Sequence, residues 1–285
     1  MTSIDNPGAS AGAIQYHYDV SDEFYKLWLD EAMVYSCGLW DHTDNLEEAQ
    51  RAKIDFHIEQ AEARGKQRVL DVGCGWGTTL QRLVDADVKQ AIGLTLAKRQ
   101  AAHIEAQRWP GVETRVESWT DHTPTSRYDA IISVGAFEHF ARLDTSPEEK
   151  IAGYRSFFQR CHEWLPPGGC VSLQTMSYES SSRSDFSEFF ASQIFPESDL
   201  PRLSEIAEAS EGLFEIVNLR NDRKMYARTS LAWRARLKRR RAEAIALVGK
   251  DVVDRYDKYL QMWAIGFHVG SMGLLRLKLR NYGRK

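Results

Sequence analysis

The run Val69-Leu70-Asp71-Val72-Gly73-Cys74-Gly75-Trp76-Gly77 limits what this chain can fold into more than any other stretch. An apolar strand-like segment enters three glycines spaced two apart, and a helix-forming segment follows. Glycine takes left-handed backbone without steric cost, so such a loop turns sharply and lets a ligand approach the main chain. Strand, glycine-rich turn and helix in that order open a ligand site on a parallel sheet. The dinucleotide fingerprint spaces its glycines GxGxxG, whereas this loop reads GCGWG behind Asp71.

The segments around the loop alternate. Strands are expected at 67–71, 90–94, 112–116, 128–134 and 170–176, with helices at 79–84, 97–108 and 147–164 between them. Strands alternating with helices imply a parallel sheet covered on both faces. Helices are also expected before the first strand, at 21–29 and 45–63, and after the fifth, at 187–195, 202–210, 227–248 and 252–269. Segments 214–219 and 274–279 read as two further strands. The predicted fold is α/β, a mostly parallel, seven-stranded Rossmann-like sheet with an added helical cap over the carboxyl ends of its strands, where open α/β folds bind ligands. No linker divides the chain, so 1–285 reads as a single domain: 1–64 an N-terminal helical cap segment, 65–178 the cofactor-binding core, 179–285 the helical cap and final strands.

Composition narrows the partners. A net charge of −3 gives no general attraction to nucleic acid. No apolar run reaches the roughly 20 residues a membrane-spanning helix needs. The start lacks the basic head and apolar stretch of a secretory signal. The four cysteines, Cys37, Cys74, Cys161 and Cys170, are scattered, so no metal site or disulfide framework is indicated and a reducing, cytoplasmic setting is expected. Basic residues crowd 234–241. A solvated helical face is the ordinary reading of such a run, and peripheral contact with an anionic membrane is the sharper one. A homo-oligomer is compatible with the sequence.

The GCGWG loop behind Asp71 resembles the first motif of class I S-adenosylmethionine-dependent methyltransferases, which implies that Asp71, Gly73, Gly75 and Gly77 bind the cofactor. Most of that class end the second strand in a carboxylate. This chain reads Gly93-Leu94-Thr95-Leu96-Ala97-Lys98-Arg99-Gln100, similar to a segment of the cyclopropane-fatty-acid and mycolic-acid synthase family, where Thr and Gln reach the cofactor. Further segments resemble that family in the same order: 17–25 (HYDVSDEFY), 35–40 (YSCGLW), 136–140 (AFEHF), 194–196 with 200–201, and 226–229 followed by Trp233. The resemblance covers roughly 17–279 and implies cofactor roles for Tyr35, Ser36, Thr95, Gln100 and Trp119.

It also implies an activity: methyl transfer from S-adenosylmethionine to an alkene carbon of a hydrophobic acceptor, a prenyl-type group or an unsaturated acyl chain. An alkene is a weak nucleophile and must be held in line in a dry pocket. Methylation leaves a carbocation, which aromatic faces stabilise by on the order of 2 kcal/mol when desolvated. Aromatics make up 11% of the chain, and Tyr18, Tyr35, Phe137 and Tyr226 are the candidates to line the pocket. In the resembling family bicarbonate takes the final proton. The motif matches assign Cys37, Glu138 and Tyr226 to that site, with Gln174 where the family has histidine. A glutamine donates a hydrogen bond but carries no positive charge. Thr120 and Gly135 also stand where family members carry Glu. The anion site is therefore weakened or retuned, which favours a methyl-branched alkene or cation-derived ring over a cyclopropane. A cyclopropane-fatty-acyl synthase proper, an N- or O-methyltransferase of a small metabolite, and a non-catalytic cofactor-binding protein remain alternatives.

Overall fold

Seven strands form one sheet in the order β3-β2-β1-β4-β5-β7-β6. The structure, a computed structural model, describes residues 8–10, 12, 21–185 and 197–283. In chain order α1 is Asp22–Lys26, α2 Leu46–Gln60, β1 Arg68–Val72, α3 Thr78–Asp85, β2 Gln90–Thr95, α4 Lys98–Gln107, β3 Val112–Val116, β4 Ala130–Val134 and α5 Pro147–Trp164. Then come β5 Cys170–Tyr178, α6 Leu203–Ser210, β6 Phe214–Asn221, α7 Arg223–Arg239, α8 Arg241–Val248, α9 Lys250–Val269 and β7 Met272–Asn281. The expected helix at 187–195 lies outside the described residues.

Strands β1 to β5 are parallel, and β7 runs antiparallel between β5 and β6. The apolar runs of β1, β4 and β5 are buried along almost their whole length, as parallel strands covered on both faces must be. One face packs Leu70, Ile131, Leu173 and Leu277 against the aromatics of α5. The other packs Val69, Ala91 and Ile132 against Ile54 and Ile58 of α2. Helix α2 thus lies along the sheet rather than over its edge, because its apolar stripe matches the strand side chains.

The cap proper joins α1 to α7, α8 and α9 around Phe24, Trp28, Trp233, Tyr256 and Trp263. The single helix expected at 227–248 is two: α7 and α8 part at Arg240, whose backbone (φ −106°, ψ 24°) leaves the helical range. Most of the basic run is locally neutralised. Arg234 pairs with Asp257, Arg236 with Glu47, Arg240 with Glu243 and Arg241 with Asp254. Among the described residues no helix is long and apolar enough to cross a membrane.

Candidate active site

The strand order reverses between β1 and β4, and a cleft of about 1080 Å³, open mouth included, lies at their carboxyl ends. Such a switch point is where doubly wound sheets bind ligands. Three glycines shape it differently. At Gly73 a Cβ would meet Ala136 Cβ at 2.5 Å, and at Gly77 it would meet Ile104 at 2.6 Å, so both are required for close packing. At Gly75, with φ +54°, a Cβ would meet nothing within 4 Å, so the loop leaves open space on the ligand side. Helix α3 starts at Gly77 with no side-chain cap, which leaves its first amides to face the cleft.

The polar walls suit an amino-acid group. Asp71 is 2% exposed, and burial raises its pKa to about 7 while Lys53 opposes the rise. Lys53 is 2% exposed, and burial lowers its pKa to about 8 against the pull of Asp30. Its Nζ donates to Ser36 Oγ at 2.8 Å. A ligand bearing both an ammonium and a carboxylate fits a wall that carries Asp71 and Lys53. Farther along, Thr95 Oγ1 donates to Gln100 Oε1 at 2.9 Å and accepts from Ala97 N–H at 3.1 Å. Trp119 backs the cleft against Phe140 and Phe157, with centroids at 5.2 and 5.4 Å. Tyr35 forms the wall toward the cap, packing on Trp28 and Trp233 and donating to Tyr259 Oη at 3.1 Å.

Beneath the cap lies a second group. Glu138 sits on the turn after β4 and is 2% exposed. Its Oε1 accepts from Met176 N–H at 2.6 Å, whereas Oε2 is buried without a hydrogen-bond partner. Burial raises its pKa to about 7. Tyr226 stacks on Phe267 at 4.5 Å, and its hydroxyl pKa is raised by burial first, then by Tyr259, Cys37 and Glu138. Cys37 is fully buried, its thiol pushed up to about 11, so it is a neutral contact. Gln174 Oε1 accepts from Arg276 Nε at 2.9 Å, and Arg276 Nη2 donates to Cys37 O at 3.2 Å. Arg276 also forms a buried ion pair with Asp222.

Glu138, Tyr226, Cys37 and Gln174 are therefore neighbours, although they come from four separate segments. Phe137 is a correction. It is fully buried on the α5 side of the sheet, stacked on Tyr154 at 4.4 Å, and belongs to the core rather than to a pocket. Tyr18 lies outside the described residues, as do 194–196. Lys53 and Arg276 are the functional candidates that sequence reasoning passed over. Lysine on a helix and arginine in an alternating strand both read as solvent-facing, and burial is what distinguishes them. The one available signal for Lys53 was its place on the same helical stripe as Ala49, Gln50 and His57.

Sheet order, glycine loop and a wall for an amino-acid group together define a class I S-adenosylmethionine-dependent methyltransferase, with that cofactor as methyl donor. A family model described as mycolic acid cyclopropane synthetase matches residues 7–277. The chain belongs to this family of enzymes. It is 35% identical over 270 residues to cyclopropane mycolic acid synthase 2 of Mycobacterium leprae, covering 87% of this chain and 86% of that protein. The structure of the cyclopropane synthase MmaA2 from Mycobacterium tuberculosis superposes with a TM-score of 0.86 at 31% identity, over 97% of this chain and 100% of that one. Mycolic acid cyclopropane synthase CmaA1, complexed with S-adenosylhomocysteine (SAH) and CTAB, gives 0.86 at 30% identity over the same shares.

Proposed function

We propose that the protein transfers a methyl group to an alkene carbon of a hydrophobic acceptor, a prenyl-type group or an unsaturated acyl chain, through a carbocation. The observation that carries this reading is the Glu138 carboxyl: one oxygen is fixed by Met176 N–H, and the other is buried, unpartnered and close to the Tyr226 ring. A buried carboxylate with one uncommitted oxygen is a high-energy feature unless a ligand or a proton completes it. The related CmaA1 structure was solved with CTAB, whose long apolar tail agrees with a hydrophobic acceptor.

S-adenosylmethionine supplies an electrophilic methyl group. Asp71, Lys53 and Ser36 hold its amino-acid end, the loop at Gly75 admits it, and Thr95, Gln100 and Trp119 border its nucleoside. Tyr35 and Tyr226 present aromatic faces to the acceptor, where positive charge is stabilised. Glu138 orients the proton acceptor, bicarbonate or a water, with Cys37 and Gln174 completing its surroundings. Neither Glu138 nor Cys37 is fully ionised at neutral pH, so this site is less charged than its acidic residues suggest.

Incubation with cofactor deuterated in its methyl group, followed by mass spectrometry of unsaturated acyl and prenyl compounds, tests the reading. A product that keeps every methyl deuterium is a methyl branch or a ring closed elsewhere. Loss of one deuterium marks a cyclopropane. Labelling of amines or hydroxyls alone overturns the proposal in favour of a small polar acceptor.

A further inference from the structure

Gln174 stands at the end of a buried chain of hydrogen bonds. Gln60 Nε2 donates to Ser172 Oγ at 2.9 Å, and Ser172 Oγ lies 2.7 Å from His57 Nδ1. His57 Nε2 lies 3.2 Å from Gln174 Oε1, which also receives Arg276 Nε at 2.9 Å. Burial, with Arg276 and Lys53 nearby, holds the His57 pKa well below its ordinary value, so the ring is neutral. A neutral imidazole donates through one nitrogen and accepts through the other. Nδ1 then accepts from the Ser172 hydroxyl and Nε2–H donates to Gln174. A guanidinium has only donors, so the amide must turn its oxygen toward Arg276; the flipped amide would set N–H against N–H. Both neighbours therefore face the carbonyl oxygen, and the N–H2 branch is turned the other way.

We propose that Arg276 is a positioning residue: it locks Gln174 so that the amide N–H2 donates to bicarbonate, whose hydroxyl is met by the uncommitted Oε2 of Glu138. The cationic partner that the glutamine lacks thus stands behind it, in the plane of its carbonyl, tied in turn to Asp222 and to the carbonyls of Cys37 and Gly38. This rests on the reading of bicarbonate given above. It assigns the retuned anion site to a pair, Gln174 with Arg276, in place of one imidazole.

The test is titration of the SAH-saturated enzyme with [13C]bicarbonate, followed by 13C line broadening. The wild type is expected to bind saturably. Arg276→Met should weaken binding about tenfold or more, the scale of a lost hydrogen bond to a charged group. Gln174→Met should do the same, and the double variant should be no weaker than Gln174→Met alone, because Arg276 acts only through the amide. Arg276→Lys should recover part of the affinity. SAH affinity should stay unchanged in every variant, which separates this role from a general structural one. If Arg276→Met fails to fold, Arg276→Gln, which still fills the site, should show the same weakening. Wild-type bicarbonate affinity in a folded Arg276→Met or Arg276→Gln overturns the proposal, as do losses that add. If the wild-type enzyme itself binds no bicarbonate, the bicarbonate reading falls, and this proposal falls with it.

Discussion

Glu138 shows what one residue's surroundings do to its chemistry. Burial lifts its pKa to about 7, so the carboxylate forms only as pH rises through that value. A proton acceptor must be ionised, and kcat at saturating cofactor should therefore climb through about pH 7. Saturation matters, because Asp71 shares a pKa near 7 and faces the cofactor. Glu138→Gln should abolish this limb and lower kcat roughly a hundred- to thousandfold, the scale of a lost preorganised group, while SAH affinity holds. A full-rate Glu138→Gln enzyme would place proton removal elsewhere. The stability effect has the opposite sense. A carboxyl whose folded pKa exceeds its unfolded value stabilises the fold below the unfolded pKa, and that contribution is lost as pH rises toward about 7. Glu138→Gln should accordingly melt higher than wild type above pH 7.

At the scale of elements, the loop between β1 and α3 makes the clearest prediction. Gly75 takes φ +54° and faces open space, so Gly75→Val adds both backbone strain of about 1 to 2 kcal/mol and a side chain in the cleft. Isothermal titration should find SAH binding abolished in a protein that still unfolds cooperatively; retained affinity would remove the loop from the cofactor site. Helix α5 gives a control away from the site. Its Ser146 cap and Glu149 form a reciprocal capping box ahead of Pro147. Ser146→Ala should lower stability by about 1 kcal/mol in denaturant melts without changing SAH affinity. Both elements were legible in the sequence, since a glycine loop and a capped helix start are local signals. The break at Arg240 was not, because Arg239, Arg240 and Arg241 carry no glycine or proline to mark it.

At the scale of the whole molecule, the sheet and the cap meet along the cleft, and ligand binding should tighten both together. A ligand that binds only the folded state adds about 2.7 kcal/mol at a hundredfold excess over its dissociation constant. With SAH present, unsaturated acyl or prenyl compounds should raise the melting temperature further. A shift with small amines or catechols alone would count against the hydrophobic acceptor. The paired arginines of α7 and α8 bear on the same question, because exposed ion pairs leave little net charge to attract an anionic surface.

Alternation of apolar runs with helical stretches, and the glycines between Val72 and Thr78, were enough to determine the α/β sheet and the place of its cofactor loop, because turn chemistry and periodicity act over a few residues. Motif order was enough to nominate Glu138, Cys37, Tyr226 and Gln174. Only the tertiary structure decided which charges are buried. Lys53 became a cleft residue because α2 lies on the sheet beside Ser36 and Asp71. Arg276 became an interior cation because β7 inserts between β5 and β6, and Phe137 went to the core because α5 covers it with Tyr154. Burial of a polar group is set by what packs over it from distant parts of the chain, and no local pattern encodes that.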